Sequence, residues 1–277
     1  MKIEELITLG NKTLHKDQTK LLISTLLNMN PLELTFHLDK IVDDDIVSKF
    51  KDCIFNIQNG LPIQYALKTT NFYGNDFYVD NRVLIPRFET EELVYYTNLY
   101  IKKYFDLNVK VLDLCTGSGC IGLSLKKLNP NIKVTLSDIS KDALEVTKIN
   151  QRQLNLDANI VESDLFDNIN DKFDVIVSNP PYVSYEDEVD EIVLKNEPNI
   201  ALYAPNHGLA CYENILKLCE KYLKNKYLIA FEIGSSQRDS VINLINTYLK
   251  DVRIICKQDM QKRDRMIFIF KNIEINE

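Results

Sequence analysis

The sequence predicts an α/β protein in which a doubly wound parallel sheet follows a small helical domain. From residue 108 onward, apolar segments of strand length alternate with segments of helix length, which is typical of a parallel sheet covered on both faces. A glycine-rich loop at residues 115–119 follows the first of these strands and opens a helix. The first 60 residues show helical spacing of apolar side chains instead, so they are expected to fold separately.

The N-terminal region is expected to form short helices. Asp17 is a candidate N-cap for a helix with leucines at helical spacing. Asn30-Pro31-Leu32-Glu33 combines an N-cap with a proline at the first helical position and a glutamate three residues after the cap. A third helix is predicted from Asp44 to Gln58. Because this region carries no catalytic signature, we interpret it as a partner-binding or packing module.

A β-hairpin is predicted to link the two domains. Apolar side chains at Phe72, Phe77 and Val79 alternate with Asn and Asp, and Gly74-Asn75-Asp76 favours a tight turn. The predicted boundaries are therefore 1–70 for the helical domain, 71–85 for the hairpin linker and 86–277 for the α/β domain.

The α/β domain is predicted to contain seven strands, with helical patterns in most of the intervals. Ligands of doubly wound sheets bind beyond the carboxyl ends of the strands, so a site is expected in the segments after the first four. The predicted strands are Lys110–Leu114, Ile132–Ser137, Asn159–Glu162, Phe173–Ser178, Tyr227–Ile233, Val252–Cys256 and Met266–Phe270.

Composition and charge exclude several classes of protein. The chain has 33 Lys and Arg against 40 Asp and Glu, a net charge of −7, which argues against binding nucleic acid through a general excess of positive charge. No stretch approaches the about 18 consecutive apolar residues of a membrane span, and the acidic N-terminus lacks the apolar core of a signal peptide. The six cysteines contain no C-x-x-C pair and the three histidines are scattered, so no metal site is expected. We expect a cytoplasmic protein with reduced cysteines.

The glycine-rich loop indicates a nucleoside cofactor without deciding which one. Gly117, Gly119 and Gly122 satisfy the G-x-G-x-x-G pattern, and Asp138 follows about 20 residues later, at the end of the second strand. This combination suits NAD, whose ribose hydroxyls bind such an acid. It equally suits S-adenosylmethionine, with the methionine moiety against the glycines and the ribose on the acid.

The tetrapeptide Asn179-Pro180-Pro181-Tyr182, after the fourth strand, favours transfer of a methyl group to a planar amino group. The nitrogen lone pair of such a group is delocalised, so a site that methylates it must accept both N–H hydrogens and fix the plane. The Asn179 side-chain oxygen and the Pro180 carbonyl can be the two acceptors, since the prolines fix φ and remove N–H donors. Tyr182 offers a ring on which a flat amide or base can lie. An NAD-dependent dehydrogenase has no use for this arrangement, so S-adenosylmethionine is favoured.

These residues, with motifs along most of the chain, resemble the HemK/PrmC family of class I methyltransferases. N-P-P-Y alone is shared with adenine and guanine amino methyltransferases, whereas its combination with the P-R-x-E-T-E loop is far more specific. The segments that carry the resemblance are Gly60–Tyr65, Phe72–Gly74, Val83–Glu91, residues 111–122, Asn179–Tyr182, Glu197-Pro198, Ala201-Leu202, Glu232–Gly234 and Arg263–Arg265.

The resemblance implies a Rossmann-like class I enzyme that uses S-adenosylmethionine to methylate the glutamine of the Gly-Gly-Gln motif in peptide-chain release factors, and so acts on translation termination. Asn179 to Tyr182 would hold the glutamine, with Asn179 and Pro180 as the catalytic pair. Arg87, Glu89 and Glu91 would either shape the wall of the active site or remain solvated. The implied cofactor-binding residues are Cys115, Thr116, Gly117, Ser118 and Gly119 on the methionine side, Asp138 at the ribose hydroxyls, Phe166 beside the adenine, and Asn179.

Two other acceptors remain open. One is a glutamine of a ribosomal protein, which the P-R-x-E-T-E loop does not exclude. The other is an amino group of a nucleic-acid base, which would need a basic face or a target-recognition insert, and base flipping. The acidic net charge and the lack of an insert argue against it, so no direct nucleic-acid binding is expected. We expect a monomer in which residues 1–70 dock the release factor. Departures from the family at Lys68, Phe88 and His207 leave the tetrapeptide intact.

Overall fold

The computed structural model describes residues 1–106 and 108–275, which divide into two units. The first unit comprises Met1–Thr70 together with Asp190–Asn196. The second comprises Asn71–Val189 and the chain from Glu197 onward. No helix within the described ranges is long and apolar enough to cross a membrane.

The secondary structure follows the predicted succession of helices, hairpin and alternating strands and helices. The helices are α1 Ile3–Gly10, α2 Lys16–Leu27, α3 Asp44–Gln58, α4 Ile63–Leu67, α5 Phe88–Tyr104, α6 Cys120–Leu128, α7 Lys141–Gln153, α8 Glu191–Asn196, α9 Ala210–Leu218 and α10 Arg238–Tyr248. The strands are β1 Thr70–Phe72, β2 Asn75–Phe77, β3 Lys110–Leu114, β4 Lys133–Asp138, β5 Asn159–Glu162, β6 Phe173–Ser178, β7 Leu223–Glu232, β8 Val252–Gln258 and β9 Asp264–Lys271.

The first unit packs its helices around fully buried side chains such as Leu6, Leu22 and Phe50. Helix α2 begins at Lys16 rather than after Asp17, because the His15 Nδ1 atom is the N-cap acceptor of the Asp17 N–H at 3.5 Å. The helix expected after Asn30 is only a 3-10 turn, Glu33–Phe36.

The segment Asp190–Asn196 groups with the first unit, although the sequence assigns it to the domain 86–277. Its helix α8 ends at Asn196, whose Nδ2 atom donates to the Gly60 carbonyl oxygen at 2.8 Å. A stretch of chain after β6 therefore contributes to the packing of the helical unit.

The second unit is built on a seven-stranded sheet with the strand order β5-β4-β3-β6-β7-β9-β8. The strands from β5 to β7 are parallel, and β9 pairs antiparallel with both β7 and β8. Successive residues of β3 point to opposite faces, so Val111 lies in the core shared with α5 and α6, while Leu112 lies in the core shared with α9 and α10. The separate two-stranded sheet of β1 and β2 packs Phe72 edge-on against Phe77.

The order of the sheet reverses at β3, whose neighbours are β4 and β6. Leu114 at the end of β3 is in register with Ser137 on one side and Ser178 on the other. The Ser178 hydroxyl donates to the Leu114 carbonyl oxygen at 2.7 Å, which ties two of these strand ends together. This edge is the position where ligands of doubly wound sheets bind.

Candidate active site

A cavity at this edge of the sheet brings together most of the residues predicted from the sequence. Each of the three strand ends supplies a part of its wall. Its lining includes Cys115, Thr116, Gly117 and Ser118 after β3, Asp138 at the end of β4, Asn179 and Pro181 after β6, and the segments Arg82–Leu84, Pro86–Arg87, Pro198 and Ile200–Ala201. An adjoining cavity shares Cys115, Asp138 and Pro181 with the first and is also lined by Asp164, Leu165 and Cys211.

The glycine-rich loop turns sharply between β3 and α6. Cys115, Gly117 and Gly119 all have a left-handed backbone, with φ of 58°, 55° and 82°. Gly119 is the N-cap of α6 and is buried behind the loop, so it supports the cavity without lining it. Gly122 allows α6 to approach the sheet, because a Cβ atom there would lie 2.2 Å from the Leu136 side chain.

Buried side chains hold this loop in place. The Asp113 Oδ2 atom accepts hydrogen bonds from the Thr116 hydroxyl at 2.6 Å and from the Gly122 N–H at 2.9 Å. From α7, Thr147 donates to the Gly117 carbonyl at 2.7 Å and Asn150 donates to the Ser118 carbonyl at 2.8 Å. Burial raises the pKa of the Asp113 carboxyl to about 7. The two hydrogen bonds favour the charged form and lower the pKa, but burial has the larger influence.

Asp138 faces the loop from the end of β4. Its Oδ2 atom accepts from the Gly117 N–H at 2.9 Å and its Oδ1 atom accepts from the Ser140 N–H at 2.9 Å. Burial is the largest influence on its pKa, which lies above the usual value for Asp. The backbone N–H of Ile139 also favours the charged form, and a carboxylate with about four lone-pair sites still has room for a further donor.

Asn179 lies at the end of a chain of hydrogen bonds that runs into the core. Its Nδ2 atom donates to the Thr90 hydroxyl oxygen at 3.3 Å, and the Thr90 hydroxyl donates to Glu232 Oε2 at 2.6 Å. Glu232 is 1% exposed, and burial raises its pKa to about 7. Asn179 itself lines the cavity, so one side chain connects the open site to a buried carboxyl group.

The other members of the tetrapeptide are placed unequally. Pro181 lines both cavities, whereas Pro180 is buried. Tyr182 lines neither cavity; its ring packs against the core and its hydroxyl donates to Glu232 Oε1 at 3.4 Å. Burial raises the pKa of Tyr182 well above its ordinary value.

The structure does not bring Phe166 to either cavity. Its side chain is 1% exposed and stacks on Tyr222 with ring centroids 4.5 Å apart. Leu165 lines the adjoining cavity and has a left-handed backbone with φ of 44°. Leu165 and Phe166 therefore have different surroundings, and the contact of Phe166 with the adenine stays a prediction.

Arg87 and Glu197 join two of the segments that line the cavity. The guanidinium Nη2 atom of Arg87 lies 2.6 Å from Glu197 Oε1, and Glu197 Oε2 accepts from the Ile85 N–H at 3.2 Å. The Glu197 side chain is 2% exposed and that of Arg87 is 35% exposed. Arg87 thus belongs to the wall of the site, and the pair connects Pro86 with Pro198 across it.

The two glutamates of the same loop lie outside the cavity lining. Glu91 Oε1 accepts from the Tyr73 N–H at 2.7 Å, so it supports the turn between β1 and β2. Glu89 is half-buried and its charge opposes ionisation of Glu232, adding to the rise in the pKa of that group.

Sequence reasoning gave no role to Thr90, Glu197, Glu232 or Leu165. The first three lie in segments that resemble the family, Val83–Glu91, Glu197-Pro198 and Glu232–Gly234, and that position was the only signal. Their partners lie far away along the chain, so no local pattern identifies the contacts.

The fold and the cavity define a Rossmann-like methyltransferase of class I. The family described as Methyltransferase small domain matches residues 88–196. The 16S rRNA N2 G1207 methyltransferase of T. thermophilus, solved with AdoMet and guanosine, has the same fold at a TM-score of 0.53 and 13% identity, covering 74% of this chain and 50% of that one. These findings confirm the predicted fold class.

Two curated relatives extend over nearly the whole chain. The release factor glutamine methyltransferase of Streptococcus pneumoniae is 38% identical and is matched over 96% of this chain and 94% of that protein. That of Clostridium acetobutylicum is 36% identical, over 93% of this chain and 92% of that protein. The chain belongs to the family of release factor glutamine methyltransferases, which confirms the resemblance found in the sequence.

Proposed function

We propose that this chain transfers a methyl group from S-adenosylmethionine to the side-chain amide nitrogen of the glutamine in the Gly-Gly-Gln motif of peptide-chain release factors. Membership of the family supports the substrate. The observation that supports methyl transfer to an amide is the orientation of Asn179. This residue lines the cavity while its Nδ2 atom donates a hydrogen bond to the Thr90 hydroxyl oxygen. Its oxygen is thereby left to accept a hydrogen bond from a primary amide.

The residues present fit S-adenosylmethionine. Asp138 lines the cavity and keeps hydrogen-bonding capacity beyond its backbone donors, which suits a ribose hydroxyl, and the 115–118 loop lines the same cavity for the methionine moiety. We assign Leu165 and Asp164 of the adjoining cavity to the adenine side. When bound, S-adenosylmethionine supplies an electrophilic methyl group on a positively charged sulfur.

On the acceptor side, the chain orients a weak nucleophile. The Asn179 oxygen accepts one N–H of the target amide. The carbonyl of Pro180, a buried residue between Asn179 and Pro181 of the cavity wall, is proposed to accept the other N–H, which fixes the plane of the amide. Positioning of this kind can contribute up to about 7–11 kcal/mol to lowering a barrier. The amide nitrogen needs no general base before attack, since it can release its proton after methylation.

The first unit is proposed to dock the protein substrate. Four large apolar side chains are strongly exposed on it, and such side chains mark a protein interaction site where they form one contiguous patch. They are Leu32, Phe36, Ile41 and Phe55, which are 75%, 81%, 76% and 65% exposed. We also propose that the protein acts as a monomer in the cytoplasm, where release factors meet the ribosome.

An acceptor assay tests the proposal. The chain is incubated with methyl-labelled S-adenosylmethionine and, separately, with a release factor, a ribosomal-protein extract, rRNA and DNA. We expect label on the release factor, located by mass spectrometry on the glutamine of Gly-Gly-Gln and absent when that glutamine is replaced by alanine. Label only on a ribosomal protein or on nucleic acid would overturn the assignment in favour of one of the other acceptors.

A further inference from the structure

We propose that Glu232 and Thr90 are positioning residues that set the polarity of the Asn179 amide, so that its oxygen and not its NH₂ group faces the cavity. This inference rests on the proposed function for its catalytic consequence. The arrangement itself is a chain of three hydrogen-bonding groups from three distant parts of the sequence.

This relay of hydrogen bonds starts at the carboxylate of Glu232, which can only accept hydrogen bonds. A carboxylate has no hydrogen to donate, and Glu232 is buried with its Oε2 atom 2.6 Å from the Thr90 hydroxyl. Two further groups favour its charged form: the guanidinium of Arg265, which lies nearby, and the Tyr182 hydroxyl, which donates to Oε1 at 3.4 Å. Glu89 and the burial act in the opposite direction. The pKa of about 7 means that the carboxylate form is fully populated only above neutrality.

When Glu232 is ionised, the hydroxyl of the middle residue, Thr90, can point in only one direction. The Thr90 hydroxyl has one hydrogen, and Glu232 accepts it, so the Thr90 oxygen can only accept from Asn179. The Asn179 Nδ2 atom, at 3.3 Å, is the donor that fits. A flipped Asn179 would place its carbonyl oxygen against the Thr90 oxygen, with no hydrogen between two acceptors.

The last group presents the result to the substrate. With Nδ2 committed to Thr90, the Asn179 oxygen is available in the cavity to accept an N–H of the target amide. A flipped Asn179 would place its own NH₂ group against the N–H of the target amide, and two donors form no hydrogen bond that could orient the amide. The hydrogen bonds from Glu232 through Thr90 therefore make the Asn179 side chain a defined acceptor. Removing these hydrogen bonds should lower turnover by about tenfold, in the range found for residues that orient a functional group.

The chain offers a matched control on the same helix. Thr97 is also a fully buried threonine of α5, and its hydroxyl has no hydrogen-bond partner among the described residues. Thr90→Val and Thr97→Val remove the same atom from the same helix, while Thr90→Ser retains the hydroxyl. Glu232→Gln keeps the size of the terminal group but allows either end to face Thr90, so we expect an intermediate effect.

Two readouts are measured on the full-length protein. The first is the NMR signal of the Asn179 side-chain NH₂, identified by its loss in Asn179→Ala. Thr90→Val should shift this signal and speed its exchange with water, Thr90→Ser should restore it, and Thr97→Val should leave it unchanged. The second is kcat with saturating S-adenosylmethionine, which should fall about tenfold in Thr90→Val with the Kd of the cofactor unchanged and recover in Thr90→Ser.

The two readouts separate failure of the relay from failure of the proposed function. An Asn179 signal that is the same in the parent and in Thr90→Val overturns the relay, whatever the enzyme methylates. A parent protein that leaves release factor unmodified overturns the proposed function, and the NMR comparison then still decides the relay. A folded Thr90→Val with an altered signal but parental kcat would overturn the catalytic consequence.

Discussion

The cofactor side and the acceptor side of the cavity are held in place by different kinds of contact. On the cofactor side, Asp113 binds Thr116 three residues away and Gly122 nine residues away. On the acceptor side, Asn179 binds Thr90 across 89 residues, and Thr90 binds Glu232 across 142 residues. The other partners of the loop, Asp138, Thr147 and Asn150, lie 21 to 32 residues away, so the cofactor side is held by the nearby β4 and α7, whereas the acceptor side depends on contacts across the whole domain.

This difference separates binding from turnover. The loop that carries the cofactor should govern cofactor affinity, and side chains aimed at the acceptor should govern the rate of transfer. Substitutions on the two sides should therefore change different kinetic constants, and any variant that changes both equally would weaken the comparison.

The largest effect is expected for Asn179→Ala. It removes the acceptor oxygen that orients the target amide, so kcat should fall by about 10²–10³, comparable to the loss of one preorganised partner of a transition state. The Kd of the cofactor, measured by calorimetry, should change much less. Asn170→Ala, an exposed asparagine of the same domain, serves as the control and should keep parental activity.

A folded Asn179→Ala within threefold of the parental kcat would remove this residue from the mechanism. The tetrapeptide would then be a turn at the end of β6, and the acceptor side would have to be assigned to other residues of the cavity.

Asp138→Ala should give the opposite result. It removes a charged acceptor for the ribose hydroxyls, so the Kd of S-adenosylmethionine should rise by about 10- to 100-fold, as expected when hydrogen bonds to a charged group are lost. Turnover at saturating cofactor should stay close to that of the parent. Unchanged affinity with collapsed kcat would show that Asp138 acts on the transfer step and that the division between the two sides is wrong.

The sequence predicts the fold better than the site, for a physical reason. Strands β3, β5 and β6 have the predicted bounds because turn residues border their apolar segments. Strands β8 and β9 are longer than predicted, because they extend into polar residues such as Gln258 and Asp264, which pair with each other across the sheet. In the site, the loop and Asp138 were recognisable from spacing. Glu232 was not, because its partner Thr90 is brought near only by folding.

The different surroundings of Leu165 and Phe166 have the same origin. Leu165 and Phe166 are adjacent apolar residues, and either suits an adenine. The left-handed backbone at Leu165 decides which of them faces the cavity, and leucine in that conformation leaves no signal in the sequence.

A smaller effect is expected for Glu197→Gln. It removes the negative charge that pairs with Arg87 and joins the segments around Pro86 and Pro198, so the free energy of unfolding should fall by about 1–2 kcal/mol. This value is smaller than that for a fully buried pair because Arg87 is about one-third exposed. Urea denaturation measures this. Glu145→Gln breaks the exposed pair with Lys148 and should leave the midpoint of unfolding unchanged, and equal results for the two variants would show that the buried pair has no special role.

The last prediction concerns the pH dependence of stability that Asp113 contributes on the cofactor side. Its pKa is raised to about 7 in the folded protein, against about 3.9 in an unfolded chain. Below the lower value both states hold the proton. As pH rises toward 7, the unfolded chain releases its proton while the folded protein retains it, so the free energy of unfolding falls with pH and levels off once both states are ionised.

Asp113→Asn removes this titration. The stability of the parent relative to Asp113→Asn, from urea unfolding at pH 5, 6, 7 and 8, should therefore decrease with rising pH and level off as pH approaches about 8. The control is Asp171→Asn, because the hydrogen bond from Lys110 lowers the pKa of Asp171, and its contribution is lost only as pH falls below about 4. Its difference from the parent should be flat over the same range. If the stability difference between the parent and Asp113→Asn also stays constant with pH, the Asp113 carboxyl is charged even at pH 5. The hydrogen bonds from Thr116 and Gly122 then outweigh the effect of burial on its pKa, and a full negative charge holds the loop.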